Sequence, residues 1–414
     1  MIADEPLTRR AFLRAAALGA GGLVLAACAP PSASPTVPSP SPGQTSAPSA
    51  TPAGASSAPT PTAGATTPVL PLRQRIARLL VVGFRGLTVA ATDPIARSIA
   101  VDGLGGVILF DRDEEVGTRN VASPMQVRRL VADLRALAAE RQLIVAIDQE
   151  GGLVTRLSPK YGYPAVESQA SIGTKGVTAV RAWANGIAGT LHDAGFNLNF
   201  APVVDLNVNP TNPAIGALHR AFSADPVVVA RDAAIEITAH RKRGVRTAMK
   251  HFPGLGSAST NTDFGVADVT ATWRDVELDP YRDLLGRGLV DVVMAAHVVN
   301  GQIDKFGPAS LSRATVTDLL RGQLGWEGVV VTDDLGAAAI TEAFGFEDAI
   351  GLALNAGNDL LLFANQHDYD PELATRVIDA VEHLVGQGTV PESRIDESLA
   401  RVGRLFSAIT IGAG

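Results

Sequence analysis

Eight short runs of apolar, mostly β-branched residues recur along this chain, and that recurrence limits the folds open to it more than any other feature. They lie at 81–84, 106–110, 143–147, 198–206, 245–249, 290–297, 329–332 and 359–363. Their starts fall about 40 residues apart, the length taken by a strand, a loop, a helix and a second loop. Helical periodicity fills several of the gaps, as at 125–141, 226–243 and 371–386. The runs are almost continuously apolar rather than alternating, as expected of parallel strands covered on both faces. With 46% hydrophobic residues the chain has material for a core of that size. Eight strand–helix units predict an α/β fold of the TIM type, a (β/α)8 barrel over residues 72–414. An open doubly wound sheet is the alternative.

The polar residues favour the barrel. Most of the runs end in something chemically capable: Asp148-Gln149-Glu150, Asp205, Lys250-His251, His297 and Asp333-Asp334. Barrel active sites are assembled from the C-terminal ends of several strands, and five such ends are hard to explain structurally. Gly151-Gly152 after Glu150 makes a turn that lets the backbone approach a ligand. Successive strand residues point to opposite sides, so one of Asp333 and Asp334 is expected in the mouth, with Asp334 capping or bonding a loop. His297 is expected to line the mouth rather than catalyse. A net charge of -7 gives no general attraction to phosphate backbones, which argues against nucleic-acid binding. No glycine-rich phosphate loop follows a strand, and no His/Cys/Asp spacing suggests a metal, so neither cofactor nor metal is expected. A carboxylate-rich mouth with several hydrogen-bond donors then suits hydrolysis of an acetal.

Five stretches carry a resemblance to a known family: AIDQEGGLVTRL (146–157), NLNFAPVVDLN (197–207), HRAFSADP (219–226), AMKHFPGLG (248–256) and VVTDDL (330–335). In identity, order and spacing they resemble glycoside hydrolase family 3, specifically its single-domain bacterial β-N-acetylglucosaminidases. The resemblance implies that Asp333 is the nucleophile that forms a glycosyl-enzyme. It implies that Asp148, Arg156, Arg220, Lys250 and His251 hold the hydroxyls and acetamido region of the terminal sugar. Rigid guanidinium forks suit that task, since buried hydroxyls need partners at fixed places.

One departure matters. The family reads Lys-His-Phe-Pro-Gly-His-Gly, then four residues, then Asp-Ser-His, whose last histidine is the acid/base. Here Leu255 replaces the first of those histidines, and the triplet is Asn261-Thr262-Asp263. Asn261 can orient a neighbour by hydrogen bonding but cannot stabilise an imidazolium. Asp263 can protonate the leaving oxygen if its surroundings raise its pKa. The alternatives are that Glu150 or Asp334 is the acid, or that the acid is lost and the protein only binds sugar.

The N-terminal part reads differently. Thr8-Arg9-Arg10-Ala11-Phe12-Leu13-Arg14 resembles a twin-arginine n-region, and the 13 uncharged residues from Ala15 to Ala27 follow it. That run is too short for a membrane span, which takes roughly 20 residues. Leu25-Ala26-Ala27-Cys28 resembles a bacterial lipobox, with lipid added to Cys28, the single cysteine. Residues 1–28 are thus expected to be a lipoprotein signal peptide, an ordinary signal peptide being the alternative. Residues 29–71 are rich in Pro, Ser, Thr and Ala and without charge, the composition of a disordered linker. As a flexible coil it would span about 36 Å. The combined expectation is a retaining exo-β-N-acetylglucosaminidase, lipid-anchored outside the cytoplasmic membrane, acting on β-GlcNAc-terminated saccharides or muropeptides. A β-glucosidase or broad exoglycosidase of the same family is the alternative.

Overall fold

The computed structural model describes residues 70–113, 115–366 and 368–407. The proposed signal peptide, Cys28 and nearly all of the linker lie outside the described residues. After a short helix, Leu72–Ala77, eight barrel strands follow: β1 (Leu80–Gly83), β2 (Gly106–Ile108), β3 (Ile144–Ile147), β4 (Leu198–Asn199), β5 (Arg246–Phe252), β6 (Val292–Ala295), β7 (Val329–Thr332) and β8 (Leu361–Phe363). All neighbours pair in parallel, in the sheet order β7-β6-β5-β4-β3-β2-β1-β8. A bridge between Val331 and Leu360, with Thr332 N–H donating to Leu360 C=O at 3.1 Å, joins β7 to β8. That closure makes the sheet a barrel and not a doubly wound sheet, in which the first strand lies mid-sheet.

Alternate residues of each strand explain the continuous apolar runs. Val81, Ile108, Ala146, Leu198, Met294, Val331 and Leu362 pack together inside the barrel. Their neighbours Val82, Val107, Val145, Val293, Val330 and Leu361 face outward onto the surrounding helices. Those helices include α1 (Pro124–Leu137), α2 (Val177–Ala194), α3 (Pro226–Lys242), α4 (Asp279–Gly286), the π-type α5 (Ala314–Gln323), α6 (Phe346–Ala356), α7 (Leu373–Gly386) and α8 (Glu392–Ser407). Ser123 and Asp225 accept backbone N–H bonds at the starts of α1 and α3, each just before a proline. Leu405 of α8 seals the barrel floor.

Two strand boundaries differ from the sequence expectation, for local reasons. The run 198–206 pairs only through Asn199 and then at Val203, which bridges Lys250. Pro202 brings no N–H, and the Gln169 side chain takes both backbone groups of Val203, at 3.0 and 3.2 Å. β5 instead runs on through Phe252, so Lys250 and His251 belong to the strand rather than to the loop after it.

Asp359, at the foot of the barrel just before β8, is fully buried. One carboxylate oxygen accepts from Arg394 (2.7 Å), Arg401 (3.1 Å) and Ser398 (3.0 Å). The other accepts from Arg321 (2.7 Å) and Val330 N–H (3.0 Å). It therefore ties α5 and α8 to β7. Removing the charge leaves guanidinium groups without a counter-ion, so Asp359→Asn is expected to cost about 3–5 kcal/mol of stability in urea unfolding. An unchanged unfolding midpoint would show that the arginines re-pair elsewhere.

Candidate active site

The C-terminal ends of the strands surround a cavity of about 230 Å³. Asp148 directly follows β3 and is followed by a tight hairpin, Gln149–Gly151 pairing with Val154–Thr155. Gly151 has φ +100°, and a Cβ there would lie 2.2 Å from the carbonyl oxygen of Glu167. Only glycine fits that approach, which sends Glu150 inward and returns Arg156 over the cavity.

Glu150 is buried. Both its oxygens take the fork of Arg220, at 2.8 Å each, and one also takes Lys250 Nζ at 2.7 Å. Burial would raise its pKa, but Arg220 and Lys250 outweigh burial and hold the carboxyl well below the usual range. A carboxylate held ionised by two cations is poorly suited to protonate a leaving group, which argues against Glu150 as the acid. Lys250 Nζ also reaches Asp148 at 2.7 Å; its pKa is raised despite burial, by Asp148 and Glu150, which keeps it charged. Arg220 spends its fork on Glu150 and donates from Nη1 to Ala214 C=O at 2.8 Å. Arg156 is less engaged: Asp111 and Asp148 stand 3.8 and 3.7 Å away, beyond hydrogen-bond length, and its buried Nε has no partner. Arg156 and the outer oxygen of Asp148 are thus the groups best placed to bond a ligand's hydroxyls.

His251 is fixed by Asp205, whose carboxylate meets its Nδ1 at 2.6 Å and accepts Leu255 N–H at 2.7 Å. The loop after β5 then forms a turn in which Asn261 Oδ1 accepts Asp263 N–H (3.0 Å) and Asn261 C=O accepts Phe264 N–H (3.1 Å). The carbonyls of Thr262 and Asp263 accept from Ala339 and Ala338 N–H, at 3.2 and 3.3 Å. This docks the Asp263 loop onto the segment that follows Asp333.

The two aspartates have opposite electrostatics. Asp333 is half-buried, and desolvation alone would raise its pKa; His297, His251, the Asp334 N–H (2.9 Å) and Lys250 outweigh it and hold the carboxyl below the usual value. Asp263 stands at the rim with one side open to solvent, yet the protein around the mouth and the charge of Asp333 raise its pKa. The weaker pulls of Arg220, His251 and Asn261 do not reverse that. One carboxylate is held ionised and its neighbour is biased towards the proton.

These positions can be set beside known proteins. A sequence profile described as "Glycosyl hydrolase family 3 N terminal domain" matches residues 71–405. The chain belongs to glycosyl hydrolase family 3. A beta-hexosaminidase from Xanthomonas euvesicatoria is 35% identical over 316 residues, which span 73% of this chain and 87% of that protein. The structure of a family 3 beta-N-acetylglucosaminidase from a Paenibacillus species is similar at 36% identity and a TM-score of 0.74, over 84% of this chain and 65% of that one. That of a beta-N-acetylhexosaminidase from Beutenbergia cavernae is 32% identical with a TM-score of 0.73, over 82% of this chain and 99% of that one.

Within this family 3 barrel, Asp148, Arg156, Arg220, Lys250, His251, Asn261, Asp263 and Asp333 all line the one cavity. Asp334 lines it too, against the expectation that only one of the adjacent aspartates could. β7 ends at Thr332, so strand alternation no longer governs the pair. One Asp334 oxygen accepts Gly336 and Ala364 N–H, each at 2.9 Å, so it does bond the loop. Burial, together with Asp333 and Asp263, still raises its pKa to about 6. His297 lies behind the wall, its ring held between Ser310 Oγ (2.6 Å) and Asp334 C=O (2.7 Å), and it positions the Asp333 segment. The supporting roles of Glu150 and Asp205 were not legible. Each stood at a strand end, but which cation or imidazole faced it depended on pairing between distant strands. Among the described residues no group of three or more His, Cys, Asp or Glu could hold a metal ion.

Proposed function

We propose that this protein is a retaining exo-β-N-acetylglucosaminidase. The observation that carries the reading is the opposed bias of Asp333 and Asp263 at one cavity of monosaccharide size. Asp333 attacks the anomeric carbon while Asp263 gives its proton to the departing oxygen, leaving a glycosyl ester on Asp333. Esterification removes the charge that helped raise the Asp263 pKa, so Asp263 stays ionised after giving up its proton and is available as the base of the second step. It then takes a proton from water, whose oxygen attacks the anomeric carbon and frees Asp333. Arg156 and Asp148 bond the sugar hydroxyls, and the Lys250–Glu150–Arg220 cluster holds them in place. The names carried by relatives support GlcNAc over glucose.

The test is turnover of a chromogenic GlcNAc glycoside against its glucose counterpart, with a 5-fluoro glycoside to trap the ester for peptide mapping. Preference for GlcNAc and a label on Asp333 are expected. Preference for glucose would make it a β-glucosidase, and binding without turnover would make it a sugar-binding protein.

The natural substrates in this reading are β-GlcNAc ends of peptidoglycan fragments, met by an enzyme tethered outside the membrane. The lipobox at Cys28 and the uncharged linker support that placement. Among the described residues no helix is long and apolar enough to cross a membrane. With Cys28→Ser the protein is expected to leave the membrane fraction, since acyl chains hold through about 0.8 kcal/mol per buried methylene. Firm membrane retention of that variant in a cell-fractionation assay would remove the anchor from the reading.

A further inference from the structure

The foot of the barrel, at the end away from the active site, carries a second cavity, of about 190 Å³. Ile144 at the start of β3 and Leu399, Val402 and Phe406 of α8 give it apolar walls. Two cations line it from the residues that lead into the strands, Arg78 before β1 and Arg141 before β3. Among the described residues no carboxylate lines it. Arg141 spends its fork on backbone carbonyls, Nη2 on Ile99 and Nη1 on Gly103 and Leu104 at 3.3 Å each, so it meets no opposite charge there. The buried Nε of Arg78 has no hydrogen-bond partner. Burial lowers the pKa of both groups, and the charge of Arg78 lowers that of Arg141 further. The backbone holds this pair in place. Gly105 N–H donates to Ala77 C=O at 2.8 Å, and a Cβ on Gly105 would lie 2.1 Å from Arg78 C=O.

We propose that this cavity binds a phosphate ester carrying an alkyl chain, the head-group chemistry of an anionic lipid. The phosphate lies at Arg78 and Arg141, and the first methylenes run along Ile144, Leu399, Val402 and Phe406. Two like charges kept partly out of water without a counter-ion cost stability, and an anion between them removes that cost. Guanidinium forks bind phosphate strongly, while the walls opposite can only cover hydrocarbon. Leu70, where the linker meets the barrel, is held at the same end by Arg75 Nε at 3.0 Å. A tether to a membrane would therefore bring lipid head groups to this face. The site itself is independent of the hydrolytic roles proposed above. Gly403 offers a second handle on it: it lines the cavity, and a Cβ there meets nothing within 4 Å. A leucine at 403 can therefore fill the space meant for the chain without straining α8.

The test is calorimetric titration of the intact protein with octyl phosphate below its micellar concentration, beside inorganic phosphate and octyl glucoside. Octyl phosphate is expected to bind one to one and about tenfold more tightly than either of the others. Arg78→Gln and Gly403→Leu should each weaken that binding about tenfold. Neither should lower the thermal unfolding midpoint without ligand, since the first relieves repulsion and the second puts a better helix former into open space. Inorganic phosphate bound as tightly as octyl phosphate would leave a site for free anions, and octyl glucoside bound as tightly would leave an apolar hollow; either result overturns the proposal. So would no binding at all. A lowered midpoint in Arg78→Gln with binding unchanged would also overturn it, by making Arg78 a residue of the fold.

Discussion

Asp333→Asn is expected to lower kcat by about 10⁴-fold, because the amide keeps the shape of the side chain and removes the nucleophilic charge. Binding of free GlcNAc, followed by calorimetry, should survive. The groups placed to hold the sugar, Asp148, Arg156 and the Lys250 cluster, are untouched, and the amide oxygen can still accept the Asp334 N–H bond. Loss of the charge also removes one of the influences that raise the Asp263 pKa, so Asp263 should titrate lower in the variant. That shift can be read by NMR of the labelled carboxyl carbon. Retention of more than a few per cent of activity would mean that Asp333 is not the nucleophile, and Asp334, which lines the same cavity, would take its place as the candidate.

Asp263→Ala is expected to split substrates by leaving group. Hydrolysis of the GlcNAc disaccharide should fall by about 10²–10⁴-fold, whereas an activated aryl glycoside needs little protonation and should lose far less in its first step. The second step slows for every substrate, because the same residue activates water, so the glycosyl-enzyme accumulates and gives a burst. Azide should then restore turnover of the aryl glycoside, since a small anion needs no general base and fits the vacated space. The pH profile carries the same signature. The proposed mechanism requires Asp333 ionised and Asp263 protonated. The Asp333 pKa is lowered from 3.8, so its charge is lost only on going below that value. The Asp263 pKa is raised from 3.8, so its proton persists above it. The unaltered protein should therefore show an acid limb from Asp333 and an alkaline limb from Asp263, and Asp263→Ala should lose the alkaline limb on aryl substrates. Equal losses on good and poor leaving groups, with no azide rescue, would move the acid role to Asp334, whose pKa of about 6 also suits it.

Much of this is legible in the amino-acid sequence. The period of the apolar runs reports strands covered on both faces, and eight of them with helices between leave little but a barrel. Polar residues at the ends of runs marked the mouth, because a barrel collects all its strand ends on one face. The substitution of Asn261-Thr262-Asp263 for the family's triplet was likewise visible in the chain alone, and it named the residue whose role most needed testing.

What the chain could not decide was which of these residues meet. Glu150 and Asp263 are both carboxylates beside glycine-bearing loops, and nothing local distinguishes an acid from a structural anion. The barrel brings Arg220 and Lys250, 70 and 100 positions from Glu150, onto the same carboxylate, and their combined charge removes it from proton transfer. It sets Asp263 near Asp333 at the rim, where the desolvating protein around it and a like charge favour the proton instead. Adjacent aspartates could be sorted by strand alternation only while the strand lasted, and β7 ends one residue too early for that rule to apply. Periodicity is a property of the local backbone, so sequence alone determined the alternation of strands and helices and the list of polar groups. The pKa of each group depends on charges and burial supplied by distant segments, so only the tertiary structure decided which carboxyls are held ionised and which are biased towards the proton.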